Sequence, residues 1–459
     1  MKDFKGRIRE LDVLQSKYDK NNFCMSIVYG RRRIGKTTLI NEFINRQDCI
    51  KISFTAVEQN ERNLLSMMKE VVLNALSPDM LGVIDFNDFD KLFEYIGKYA
   101  AKNRVILFID EYPYLVKQCP YIQSLLQKHI DTSWSKTNMF LVLCGSLVAF
   151  MKDEVLAESA PLYGRSDLEM KLRPFNYYET ALFVENYSNE EKAIVYGLTG
   201  GVAKYIRQFD DRIPLDENII EQFFSMEGYF TEEQVKTVIT GEKQNPVLYN
   251  SIISAIADGH TKNNEIAISS GVKEVTYPLK VLVNSEIIEK RMSKKPYYII
   301  NDSMLSFYFT YVSKAISLIN AGNGRIYYET QVKSKLHNFM GKVFEKMAKD
   351  YLLKNAGTKN IPLMDSIVDL QKSVLDSNNK SCQVEIDLCG KMDKKVVLVG
   401  ECKFTNKKFD NTDLEAFMKK LDLLKMNNVK VFLFSLSGYT DSVYNNTSNI
   451  TLITLDDMY

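Results

Sequence analysis

One short run constrains this chain more than any other feature. Gly30-Arg-Arg-Arg-Ile-Gly35-Lys36-Thr37 fits the pattern G-x-x-x-x-G-K-S/T. It follows Ser26-Ile-Val-Tyr29, a β-rich apolar run, and it opens a segment of helical spacing over 37–45. A strand that passes through a glycine-bounded turn into a helix commits this region to a βα unit. Three more β-rich runs, at 49–54, 105–109 and 139–144, alternate with helical segments such as 63–76. Continuous apolar runs of this length suit strands covered on both faces of a parallel sheet. The alternation predicts an α/β layered domain.

The turn also has chemistry. Its backbone N–H groups and the helix N-terminus supply the positive field that a triphosphate needs. Gly30, Arg31, Arg32, Arg33, Ile34, Gly35, Lys36, Thr37 and Thr38 are the candidate cofactor-binding residues. Lys36 is expected to reach the β- and γ-phosphates, and the Thr37 hydroxyl to sit on Mg²⁺. Downstream, Val105-Ile-Leu-Phe-Ile109 ends in Asp110 and Glu111. Asp110 is the candidate partner of Thr37 at the metal, and Glu111 the candidate group that activates the attacking water. No N/T-K-x-D base-selecting motif occurs, which favours ATP over GTP.

Around these elements the chain resembles the archaeal-type, AAA-like ATPases of the STAND-related P-loop class. The resemblance rests on Phe4-x-x-Arg7-x-x-Glu10-Leu11, Leu143-Cys-Gly-Ser146, Pro161-Leu-Tyr-Gly164-Arg165 and Gly200-Gly201-Val-Ala-Lys-Tyr205. Ala203 stands where that family carries proline, a departure that bears on the contact between lid and nucleotide. The resemblance covers residues 1 to about 310 and implies that Arg7 joins the nucleotide site. Ser146 can then hydrogen-bond the γ-phosphate or its water. Arg165 either neutralises the transition state or forms a structural ion pair.

Composition bounds the rest. The 459 residues exceed one ordinary domain, and Lys plus Arg at 59 against Asp plus Glu at 58 leaves a net charge of +1. That balance excludes a strongly basic whole-protein footprint, though not a local basic patch. Three histidines and seven cysteines without a C-x-x-C pair speak against a paired-histidine metal site and for reduced thiols. The N-terminus shows no signal-peptide pattern, and the longest apolar run, 139–151, is broken by Cys144-Gly-Ser. The expectation is a cytoplasmic protein with no membrane span, with room for a homo-oligomer.

Four segments are predicted: a P-loop ATPase core over 1–172, a helical lid over 173–240, a winged helix-turn-helix over 241–318 and an α/β domain over 325–459. The winged reading rests on helices at 247–257, 263–269 and 273–283, followed by strands at 286–290 and 297–300. Lys262, Lys273, Lys280, Lys290, Arg291, Lys294 and Lys295 make it basic. Lys273 and Lys280 are expected on the recognition helix, and Lys294 and Lys295 at the wing tip. Two readings stay open: DNA binding, or a structural module that packs on the ATPase and communicates its state.

After the linker Asn320-Ala-Gly-Asn-Gly324 come a helix over 336–355 and strands at 384–388, 396–402 and 430–436, with a helix over 414–426 between the last two. Alternation puts Glu401 and Lys403 on one face, and Glu385 and Asp387 on one face. If the first two strands pair, Asp387, Glu401 and Lys403 converge. Two carboxylates and an amine suit Mg²⁺-dependent phosphodiester cleavage, with Asp387 and Glu401 on the metal and Lys403 on the water. This segment resembles the PD-(D/E)xK superfamily, a restriction-endonuclease-like fold, and the resemblance adds Glu345 from the preceding helix. The reading is an ATP-hydrolysing switch with a nuclease-like effector acting on nucleic acid. Its rivals are a regulatory or scaffolding ATPase whose last domain only docks, and a DNA-dependent motor, which lacks helicase motifs beyond the two nucleotide elements.

Overall fold

The computed structural model describes residues 4–230, 235, 245–292, 296–375, 381–426, 429–445 and 450–459. Lys294 and Lys295 lie outside them. The chain forms two compact units. The first comprises Met1–Pro174, Val202–Lys204 and Thr261–Asn301, and the second Phe175–Gly201, Tyr205–His260 and Asp302–Tyr459. The 241–318 segment is therefore shared between them.

In the first unit, α1 (Ile8–Tyr18) leads into β1 (Cys24–Tyr29), α2 (Lys36–Asn45), β2 (Ile50–Thr55), α3 (Glu61–Leu76) and α4 (Phe89–Ala100). Then come β3 (Val105–Asp110), α5 (Tyr112–Gln118), α6 (Ile122–Thr132), β4 (Met139–Gly145) and β5 (Leu168–Lys171). The sheet order is β2-β3-β4-β1-β5, parallel throughout. Strands β3 and β4 are buried at every position, as their uninterrupted apolar runs require. Strand β2 is an edge and alternates, burying Ile52 and Phe54. Strand β5 is short and only half-buried, which hides it from a reading based on apolar runs.

The later piece of this unit holds α7 (Asn263–Ser270), α8 (Thr276–Asn284), β6 (Ile288–Arg291) and β7 (Tyr297–Ile300), with β6 and β7 antiparallel. Helix α8 begins three residues later than the spacing suggests, so Lys273 lies before it and not on it. Pro278 has no N–H to donate and fits only the first turn of a helix, while the Glu274 carboxylate accepts from the Thr276 N–H at 2.7 Å. Glu286 likewise precedes its strand, in the left-handed region at φ 57°.

The second unit contains a five-stranded sheet of order β12-β11-β10-β9-β8. Its strands are β8 (Ser366–Leu375), β9 (Ser381–Met392), β10 (Lys395–Lys403), β11 (Lys430–Ser435) and β12 (Ile450–Thr454). Pairs β8–β9 and β9–β10 are antiparallel, and β10–β11 and β11–β12 are parallel. Helix α9 (Leu336–Lys354) and helix α10 (Asn411–Leu424) cover opposite faces. Phe434 meets Phe344 and Tyr351 of α9, whereas its neighbour Leu433 joins Phe417 and Leu421 of α10. No helix among the described residues is long and apolar enough to cross a membrane.

Candidate functional site

The loop between β1 and α2 is shaped by what its glycines allow. A Cβ on Gly30 would lie 2.4 Å from the Leu172 carbonyl oxygen and 2.8 Å from Ile34 Cδ1. Gly35 sits at φ 92° and caps α2, and Arg33 is also left-handed at φ 71°. Such turns bring successive N–H groups to one concave side. Ile34 is buried and pins the loop to the core. Lys36, only 6% exposed, donates from Nζ to the carbonyls of Gly30 at 2.9 Å and Arg31 at 2.8 Å. Burial lowers its pKa, and the charges of Glu111 and Asp110 oppose that shift. Thr38 is half-buried in the first turn of α2.

Two segments brace the loop from outside. Arg7 is buried and donates from Nη2 to the Ile34 carbonyl at 3.2 Å and the Arg173 carbonyl at 2.6 Å, while Nη1 pairs with Glu10 at 3.1 Å. Its guanidinium thus holds loop backbone. The Lys204 N–H donates to the Arg33 carbonyl at 3.1 Å, and a Cβ on Gly35 would stand 3.7 Å from Ala203 Cβ.

The acids arrive on β3. Asp110 is 4% exposed, accepting from Thr37 Oγ1 at 2.7 Å and from the Glu111 N–H at 2.9 Å. Glu111 turns left-handed at φ 50°, and its Oε2 accepts from Ser146 Oγ at 2.7 Å. Strand β4 lies between β3 and β1 in the sheet, so Ser146 at its end falls between the acids and the loop. Arg32 reaches from the loop to Ser146 Oγ (Nε, 3.4 Å) and to Tyr114 Oη (Nη2, 2.7 Å). Arg165 is engaged by Asp131, at 2.8 and 2.9 Å, and by the Pro161 carbonyl at 3.0 Å, the ion-pair geometry.

A second cluster forms in the other unit. Val368 pairs with Cys389 and Leu370 with Ile386, so Asp387 and Leu388 together oppose Asp369. This β-bulge re-aims the strand where simple alternation would be expected to continue. Asp387 accepts the Cys402 N–H at 3.0 Å. Burial raises the Asp387 pKa; burial and then the Asp387 charge raise those of Glu345 and Glu401. The three acids therefore share one electrostatic neighbourhood. Lysines balance them: Lys420 holds Glu401 at 2.7 and 3.0 Å, and Lys342 holds Glu345 at 2.9 Å and Glu385 at 3.2 Å. Lys403 pairs with Asp413 of α10. Among the described residues no three carboxylate, imidazole or thiol groups close around a single metal position.

Lys420, Lys342, Asp413 and Tyr114 carried no signal in the linear motifs. Tyr114 lies three residues beyond Glu111, a spacing that brings side chains together once a helix starts there. In the later piece of the first unit, Lys273, Lys280 and Lys290 are exposed, and Lys262 pairs with Glu265 at 2.7 Å.

Residues 4–209 match the model of an ATPase domain found predominantly in Archaea, and residues 308–415 match a family of archaeal and bacterial proteins of unknown function. An uncharacterized protein of Methanocaldococcus jannaschii is 29% identical over 368 residues, covering 78% of this chain and 79% of that one. A second protein of that organism, an uncharacterized ATP-binding protein, is 43% identical over 44 residues, covering 10% of this chain and 75% of that one. Among solved structures, a Walker-type ATPase of Pyrococcus abyssi aligns with a TM-score of 0.47 at 18% identity, over 67% of this chain and 96% of that one. The loop, the paired acids and the parallel sheet lie together in one unit, a P-loop ATPase fold within the region that matches the archaeal ATPase-domain model.

Proposed function

We propose that this chain is an ATP-driven regulatory switch whose ATPase core (1–172), lid (173–240) and winged segment (241–318) govern a nuclease-like effector (325–459) that acts on nucleic acid. One observation carries the ATPase half: Thr37–Asp110 and Glu111–Ser146, each at 2.7 Å, meet at the carboxyl ends of adjacent strands beside the loop. Ligands bind at that edge of a parallel sheet. The buried Arg33 Nη1 has no hydrogen-bond partner among the described residues, which supports an anionic guest.

Thr37 and Asp110 present two hard oxygen donors side by side, a set that fits Mg²⁺ completed by phosphate and water. When bound, that ion neutralises charge on the phosphates. Lys36 leaves its two carbonyls for the β- and γ-phosphates. Glu111 takes a proton from the water that attacks the γ-phosphorus, the bridging P–O bond breaks, and ADP and phosphate leave. Ser146 restrains Glu111, and Arg7 acts through the loop backbone it holds. Glu111→Gln keeps size and removes the base, so turnover should fall on the order of 10²-fold while ATP still binds. Loss of binding and turnover together would assign Glu111 a structural role.

The effector reading rests on Glu345, Asp387 and Glu401 sharing charge at the bulge, with Lys403 beside them. Their oxygens are hard donors of the kind Mg²⁺ takes, but among the described residues they do not close on one metal position, and Lys342 and Lys420 pair with Glu345 and Glu401. That lysine pairing favours the second reading, a docking domain of the same fold. Cleavage of labelled DNA and RNA with and without Mg²⁺, together with metal titration by calorimetry, separates them. No cleavage and no metal bound at millimolar concentration leaves docking. DNA engagement is assigned to the exposed Lys280 and Lys290.

A further inference from the structure

Tyr114 belongs to no motif in the chain, yet a chain of hydrogen bonds joins it to the paired acids. Its hydroxyl lies 2.7 Å from Arg32 Nη2. The Nε of the same guanidinium lies 3.4 Å from Ser146 Oγ, and Ser146 Oγ lies 2.7 Å from Glu111 Oε2. The direction of this chain follows from the chemistry of the groups. A guanidinium can only donate, so Tyr114 and Ser146 both accept from Arg32. A serine hydroxyl has one proton, and an ionised carboxylate can only accept, so that proton goes to Glu111. The Tyr114 N–H also donates to the Glu111 carbonyl at 2.9 Å, which ties the residue to the turn that aims the glutamate.

We propose that Tyr114 is a positioning residue for ATP hydrolysis: it anchors Arg32, which orients the Ser146 hydroxyl and so fixes the Glu111 carboxylate for the attacking water. Arg32 is exposed and, without an anchor, samples many rotamers. Fixed at Tyr114, it holds one lone pair of Ser146 and leaves the serine proton a single destination. One Glu111 oxygen is then occupied and the other is left for water. The role is indirect: Tyr114 acts on Glu111 through Arg32 and Ser146. The inference rests on the reading of Glu111 as the base, and it adds the residue that sets the base's geometry.

The test uses the full chain and steady-state ATP turnover. Tyr114→Phe removes one oxygen and keeps the ring. Turnover should fall roughly tenfold with KM for ATP within about twofold of the unsubstituted chain, as expected when a charged-donor hydrogen bond is lost from the chemical step alone. A structural role would not predict the second result: in a Ser146→Ala background, Tyr114→Phe should have no further effect, because the relay is already cut. Unchanged turnover in Tyr114→Phe, or a full additional loss in the Ser146→Ala background, overturns the proposal. Glu111→Gln is measured alongside. If it retains turnover, the reading of Glu111 itself fails; if it is inactive while Tyr114→Phe is not, only the relay fails.

Discussion

Thr37→Val tests the centre of the proposed nucleotide site without any nucleotide present. The substitution exchanges a hydroxyl for a methyl of nearly the same shape. It removes the donor 2.7 Å from Asp110 Oδ2, leaving that carboxylate the Glu111 N–H at 2.9 Å on its other oxygen. Asp110 is 4% exposed, so little water replaces the lost donor. A hydrogen bond to a buried charge contributes about 1.5–3 kcal/mol, and the new methyl, on an exposed side chain, recovers little of it. With a urea slope of about 1–3 kcal/mol per molar, the unfolding midpoint should drop by about 1 M. The chain has one tryptophan, Trp134, fully buried in the first unit, so its fluorescence follows that unit alone. Thr37→Ser should restore the midpoint and ATP turnover; Thr37→Val should lose both. A midpoint for Thr37→Val within about 0.2 M of the unsubstituted chain would refute the Thr37–Asp110 bond and the geometry built on it.

Other outcomes follow from the same physics. Gly201 sits at φ 74°, and a Cβ there would lie 1.8 Å from the Phe175 carbonyl oxygen. Gly201→Ala should therefore cost more than about 3 kcal/mol, seen as a lower thermal midpoint of the second unit. Burial raises the Asp387 pKa, so the folded state binds more protons than the unfolded one between the ordinary carboxyl range and that raised value. Stability should thus decline as pH rises through this window, and Asp387→Asn should flatten the slope and raise stability at pH 8, read by hydrogen exchange of α9. If DNA binds, replacing Lys280 and Lys290 with Ala should reduce the log–log salt slope by about one per lost phosphate contact, and an unchanged slope assigns that module a structural role.

The linear chain carried much of this molecule, because some of its physics is local. A glycine turn after an apolar strand needs only neighbours in sequence, so Gly30 to Thr37 was legible together with β1 and α2. The uninterrupted runs of β3 and β4 announced double-sided burial, and the two acids after β3 announced a polar end. Short, half-buried strands such as β5 carry no such signal, since they hold no continuous apolar run. The start of α8 turned on Pro278, whose effect on the helix outweighs the spacing of the apolar residues around it.

What the tertiary structure decided was which charges meet. Arg7 and Arg165 both stood in motifs, but one holds the Ile34 carbonyl and the other Asp131. A motif specifies a side chain's presence, and packing specifies its partner. The sheet order set β4 between the loop strand and the acid strand, and that alone brought Ser146 to Glu111 and Arg32 to Tyr114. In the second unit the E-x-K spacing was visible, while the bulge at Asp387 and the lysines of α9 and α10 were not. Most of these contacts join residues from different elements, and only folding, through burial that makes unpaired charge costly, selects among the many pairings a chain this rich in Lys and Glu allows.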